Sequence, residues 1–294
     1  ASLQSIAFPD VLLMGEFAYY EHNFLGLQKS VILPVQYGLS TTDPFRYASF
    51  MPTYLDRRIF GSDVTFRATP LIVYDQALKL LDTFEYGGEV EVSYPIIEGM
   101  YISWLNRLTR IQWKYSYDEA FGPMEFQLKS APQIRYDWRD SPINPTRGGM
   151  AVGRVTYLNA LNQDAARDNF WKFEVGLQYF LALRRTVVIG AHVKAGDSIS
   201  PSGLTLPENE RFRLGGANGI RGFTYGGIGQ YDSDGSLRVK EVTEADGTVT
   251  VTPVVGGDIV LNGSLEVRFP LLRKSELWGA VFADWGALSD QWAD

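Results

Sequence analysis

Val260-Leu-Asn-Gly-Ser-Leu-Glu-Val-Arg-Phe269 alternates in character without a break. Leu261, Gly263, Leu265, Val267 and Phe269 share one parity, and Asn262, Ser264, Glu266 and Arg268 the other. Successive side chains of a strand point to opposite faces, so this period of two describes a strand with one apolar and one polar face. The pattern recurs along the chain. Trp171, Phe173, Val175, Leu177, Tyr179 and Leu181 alternate with Lys172, Glu174, Gly176 and Gln178. Phe126, Leu128, Ile134, Tyr136 and Trp138 oppose Gln127, Lys129, Gln133, Arg135, Asp137 and Arg139. Phe84, Tyr86, Val90, Val92 and Tyr94 oppose Glu85, Glu89, Glu91 and Ser93.

Two architectures have such strands. In a soluble sandwich the apolar face is the core; in a membrane barrel it meets lipid and the polar face lines a wet interior. Three features favour the barrel. The strands run to roughly 10 residues or more, the length of a tilted membrane crossing. Aromatic residues gather at strand ends, as at Trp113, Tyr115 and Tyr117, or Tyr136 and Trp138. The polar faces mix both signs of charge. Connections also alternate in length: residues 23–27 and 184–185 are short, whereas 197–220 is long and rich in Gly, Pro and Ser. Short turns at one end and long loops at the other are the barrel arrangement. The pattern predicts strands at 11–22, 28–38, 46–55, 62–75, 83–94, 101–117, 124–139, 149–159, 170–183, 186–196, 236–243, 248–254, 258–269 and 276–287. Ala245-Asp-Gly247 marks the turn of a hairpin within a loop.

Composition is consistent with this reading. Of 294 residues, 45% are hydrophobic, yet mean hydropathy is only −0.10. No apolar run approaches the roughly 18 residues of a membrane helix, which excludes a helical membrane protein. Aromatic residues reach 14%, as expected where girdles mark two interfaces. Cysteine is absent, so a hydrogen-bonded ladder rather than disulfides must hold the chain. A net charge of −7 argues against nucleic acid as a partner. No signal peptide is read at the start of this sequence, so any such segment is expected to have been removed or to lie outside it.

The sharpest motif is Arg211-Phe-Arg-Leu-Gly-Gly-Ala-Asn-Gly-Ile-Arg-Gly-Phe223. Its glycines alone indicate only a tightly turning backbone. Gly-Gly followed by Ile-Arg-Gly-Phe resembles the sixth extracellular loop of the outer-membrane protein assembly-factor superfamily (BamA/TamA-like, also called the bacterial surface antigen family). Four further segments resemble the family in the same order. They are Glu21-His-Asn-Phe-Leu-Gly26, Asp137-Trp-Arg-Asp-Ser-Pro-Ile-Asn-Pro-Thr-Arg-Gly148, Gly263-Ser-Leu-Glu-Val-Arg-Phe-Pro270 and Val281-Phe-Ala-Asp-Trp-Gly286. One such motif is weak; five in order are specific.

The resemblance implies an all-β transmembrane antiparallel barrel of about 16 strands when complete, with residues 1–294 forming most of it. It implies that the closing strands and the periplasmic POTRA domains lie outside this sequence. It implies a long loop folded into the lumen, where Arg221, flanked by Gly222 and Phe223, meets the inward carboxylates Glu266 and Asp284. It implies a strand-connecting turn built on Asp140, Pro142, Asn144, Pro145 and Gly148. The function it implies is insertion or translocation of proteins at a bacterial-type outer membrane. Partners would be client outer-membrane or secreted proteins, outer-membrane lipid, and accessory lipoproteins or a second chain completing the barrel. A barrel anchoring or exporting one fused or partner domain, and a passive channel, are the alternatives.

No cofactor, metal or catalytic group is expected. The two histidines, His22 and His192, have no base-and-orienter arrangement about them. Asp232-Ser-Asp-Gly235 lacks the remaining ligands of a calcium loop. Gly226-Gly-Ile-Gly229 lacks the strand-to-helix context of a phosphate loop. Asn262-Gly-Ser264 matches a glycosylation acceptor but lies inside a strand.

Overall fold

The structure is a computed structural model. It describes residues 13–290 except 40–45, 79–80, 116–120, 123, 162–166, 185–186, 204–205, 217–218, 224, 230–238, 244–248, 254–255 and 273–276. Among the described residues fifteen strands follow one another: β1 (Leu13–Phe24), β2 (Lys29–Leu39), β3 (Tyr47–Phe50), β4 (Thr53–Asp56), β5 (Thr65–Leu78), β6 (Leu81–Ile97), β7 (Met100–Tyr115), β8 (Glu125–Asp137), β9 (Gly148–Leu161), β10 (Arg167–Arg184), β11 (Val187–Ile199), β12 (Val239–Thr243), β13 (Val249–Pro253), β14 (Ile259–Leu272) and β15 (Leu277–Ser289). Thirteen form a sheet of order β1-β2-β3-β5-β6-β7-β8-β9-β10-β11-β14-β15, with β4 also between β2 and β5. Among the described residues β1 and β15 are the ends of this order. No helix among them is long and apolar enough to cross a membrane.

The strands fall close to the spans that the alternation predicts. One expectation needs correction: residues 46–55 form two short strands, β3 and β4, broken at Met51-Pro52. Pro52 has no N–H for the ladder, so pairing stops there and resumes at Thr53. Both pieces pair with β2 and with β5, so together they occupy one strand position. β12 and β13 pair as a separate hairpin within the long connection from residue 200 to 258. The Asp246-Gly247 turn and the Asp232–Gly235 segment lie outside the described residues.

The chain divides into two compact units. In the first (residues 1–92, 105–129 and 160–167), Leu71, Thr109, Ile111 and Gln127 are buried. Ion pairs occupy the polar face beside them. Arg107 forks onto Glu85 at 3.1 and 2.7 Å, and Lys29 lies 2.8 Å from Asp56.

In the second unit (93–104, 130–159 and 168–294) the alternation becomes a difference in exposure. Leu265 is 53% exposed, whereas its neighbour Ser264 is 6% exposed. On β10, Trp171, Phe173, Val175, Leu177, Tyr179 and Leu181 are all exposed. Against water, a continuous apolar stripe of this kind would be an aggregation surface; against hydrocarbon it is the solvated face. Gly263 belongs to the same outward parity and pairs with Trp285 across β14–β15. A Cβ there would meet the indole at 2.3 Å, so glycine leaves room for the ring to lie over the backbone.

Candidate functional site

Register explains how the polar groups converge. β14 and β15 pair Ser264 with Asp284 and Glu266 with Phe282. β11 and β14 pair His192 with Ser264. These residues share the inward parity, so hydroxyl, carboxylates and imidazole meet on one patch of wall. A cavity of about 510 Å³ opens beside it, lined among others by Arg154, Glu174, Gln178 and His192.

The long connection delivers Arg221 to this patch. The Gly216 N–H donates to the Phe223 carbonyl at 3.0 Å, and the Gly219 N–H to the Gly216 carbonyl at 3.1 Å. Gly216 and Gly222 sit at φ of 82° and 91°, a left-handed conformation that glycine adopts without strain. The loop base is held by apolar packing: Phe212, Leu214 and Val260 are buried, with Ile220, Ile228 and Leu288 against them.

Arg221 then makes five hydrogen bonds to the wall. Its backbone N–H and its Nε both donate to Asp284 Oδ2 at 2.9 Å, and Nη2 donates to Asp284 Oδ1 at 2.7 Å. Nη1 donates to Glu266 Oε2 at 2.6 Å, and Nη2 also reaches Ser264 Oγ at 2.8 Å. The guanidinium lies 3.4 Å from the centroid of the Phe282 ring, a cation–π contact. The Asp284 side chain is 4% exposed, so its charge depends on this partner. Hydrogen bonds to Asp284, then to Glu266, hold the Arg221 pKa above its ordinary value, so the cation does not titrate. The structure thus brings Arg221, Glu266 and Asp284 together. It leaves Phe223 57% exposed, and a Cβ added at Gly222 would meet nothing within 4 Å.

Two participants escaped sequence reasoning. One is Phe282, whose inward parity was readable but whose stacking was not. The other is Arg211, the first residue of the loop motif. Its side chain is fully buried, hydrogen-bonded to Asp290, 3.5 Å from Asp258 and 3.9 Å from Glu208. It holds the loop at the head of the motif as Arg221 holds it ten residues further on.

The second expected constellation is the β8–β9 turn. Asp140 Oδ1 accepts from the Thr146 and Arg147 N–H groups at 2.8 and 3.1 Å, and Oδ2 from the Thr146 hydroxyl at 2.5 Å. Gly148 closes the turn at φ 86°, where a Cβ would lie 2.2 Å from the Trp138 carbonyl oxygen. Pro142 is exposed and Pro145 buried. Asn144 Oδ1 and the Pro145 carbonyl accept from Arg268.

The hydrogen bonds from Thr146, and then from the Arg147 and Thr146 amides, lower the Asp140 pKa from 3.8 to about 2. A depressed carboxylate stabilises the fold above its unfolded pKa, and that contribution fades as pH falls through the folded one. The difference in melting midpoint between wild type and Asp140→Ala should therefore be constant above pH 4 and shrink as pH approaches 2. A difference that persists unchanged at pH 2 would assign the effect to something other than this carboxylate.

The chain belongs to the Omp85 superfamily, whose domain model matches residues 23–294. Two of the solved structures that match it show the shared fold. BamA from Haemophilus ducreyi lacking POTRA domains 1–3 superposes with a TM-score of 0.73 at 16% identity, covering 96% of this chain and 58% of that one. CdiB from Acinetobacter baumannii superposes with a TM-score of 0.55 at 12% identity, covering 94% and 46%. The chain thus spans about half the length of these two proteins. No curated protein matches it in sequence. The fold is that of a bacterial outer-membrane β-barrel.

Proposed function

We propose that this barrel belongs to a machine that inserts other β-barrel proteins into the outer membrane or moves proteins across it. The observation that carries the reading is the Arg221 cluster, in which a long loop is hooked onto the inner wall of an Omp85 barrel. The mechanism is physical, with no reaction at a catalytic group. A strand entering lipid cannot leave its N–H and C=O groups unpaired. A barrel can lower that cost by lending a strand edge to the client, which is β-augmentation. Lending an edge at one place requires a stiff wall elsewhere, and the latch supplies it by tying β14 and β15 to the loop. Clients are unfolded outer-membrane or secreted proteins, and accessory lipoproteins would assist delivery.

The test is reconstitution of the full-length protein in vesicles of outer-membrane phospholipid, with a urea-unfolded barrel protein as client. Folding of the client, followed by protease protection, should be faster than in empty vesicles, and slower again with Arg221→Ala at equal barrel content. Equal rates with and without the protein would refute an insertase. Vesicles that instead accumulate a soluble client in their interior would assign the barrel to translocation.

A further inference from the structure

The sheet is antiparallel, so the C-terminal ends of β8 and β14 lie at one end of the wall. The loop carrying Arg221 enters from the other. Between the two sits Arg268, which is half-buried above the Phe180 ring at 5.3 Å. Its Nη1 donates to Asn144 Oδ1 at 2.8 Å and its Nη2 to the Pro145 carbonyl, so both arms of the fork grip the β8–β9 turn. Its Nε lies 3.6 Å from Glu266 Oε1, within ion-pair range but not hydrogen-bonded to it. The second oxygen of the same carboxylate holds Arg221 at 2.6 Å.

We propose that Glu266 is a shared positioning residue. One of its oxygens fixes the loop latch, and the other orients Arg268 to clamp the 140–147 turn. The carboxylate is flanked by two cations, and neither contact is independent of its rotamer. A guanidinium is planar, so attraction between the carboxylate and its Nε edge biases the direction of both Nη groups at once. Loop and turn approach from opposite ends of the wall and are thereby braced through one side chain. Coupling of this kind is reciprocal in free energy.

The proposal rests on geometry rather than on the functional reading, and amide hydrogen exchange tests it with no client present. Two reporters exist. The Thr146 and Arg147 amides, bonded to Asp140, report the turn; the Arg221 amide, bonded to Asp284, reports the loop. In the full-length protein, Glu266→Ala should speed exchange at both reporters by about fivefold or more, while β10 peptides stay protected. Asn144→Ala should act on the turn alone. Glu266→Gln covers the case in which the alanine variant fails to fold. Its amide oxygen can still accept from Arg221, but its NH₂ would then face the Arg268 Nε, donor against donor. It should therefore loosen the turn while Asp284 keeps the loop latched. Turn exchange that is unchanged in Glu266→Gln would overturn the proposal, as would a rise at β10 equal to that at the reporters.

Discussion

Arg221→Ala should lower stability by about 2–4 kcal/mol, below the upper range for breaking a buried pair because the cluster borders water. The loss has a specific origin. Asp284 is almost fully buried and takes three of the five hydrogen bonds, of which the side-chain pair vanishes in the variant. A desolvated carboxylate left without its cation is the costly outcome, more than the loss of attraction itself. Arg221→Lys should restore only part of the stability. An ammonium can face one carboxylate, but it cannot span Asp284, Glu266 and Ser264 in one plane or cover Phe282 as a guanidinium does. A double-mutant cycle of Arg221→Ala with Asp284→Ala, followed by heat-modified gel mobility and thermal unfolding, should give a coupling of about 1–3 kcal/mol. Additive effects would reduce the loop to an excursion resting on the wall.

Leu177→Arg should abolish or strongly impair membrane assembly, whereas Gln178→Arg should be tolerated. The two residues are adjacent, yet Leu177 belongs to the exposed apolar stripe of β10, whereas Gln178 is half-buried on the opposite parity and pairs with His192. An arginine at a lipid-facing midplane position costs about 2–4 kcal/mol, and the same charge in a wet lumen costs little. The more obvious pair, Leu265→Arg against Ser264→Arg, is a poorer comparison, because Ser264 is occupied by Arg221. The measurement is the fraction of folded protein recovered from outer membranes. Equal recovery of the Leu177 and Gln178 variants would contradict the assignment of faces.

Strand positions were legible because burial on one face and lipid on the other both act at a period of two. The stretch from Leu261 to Phe269 shows its register by strict alternation along its whole length. The interruption at Met51-Pro52 was written in the sequence too, as a proline in the middle of an expected strand; both pieces keep one register against β2 and β5, so the span still fills one strand position. The Arg221, Glu266 and Asp284 grouping followed from family resemblance for the loop and from parity for the wall. Parity alone could not have supplied it, since it says which way Glu266 and Asp284 point but not which loop arrives. The same limit concealed the contact between Arg268 and Asn144, which are 124 residues apart, although Asn144 itself was expected in the turn. Arg211 was concealed for a related reason: its partners Glu208, Asp258 and Asp290 lie in three different segments.

The most direct test of a lipid-facing wall with a loop latched to its inner side is spin-label accessibility along β14. The chain has no cysteine, so single cysteines can be placed at 261, 262, 264, 265 and 267 without background. In bilayers, collision with dissolved oxygen should peak at 261, 265 and 267. Collision with a water-soluble nickel complex should be low at 262, under the loop, and rise there when Arg221→Ala is added. Oxygen accessibility without a period of two would contradict the barrel register, and nickel accessibility at 262 that ignores Arg221 would contradict the latch.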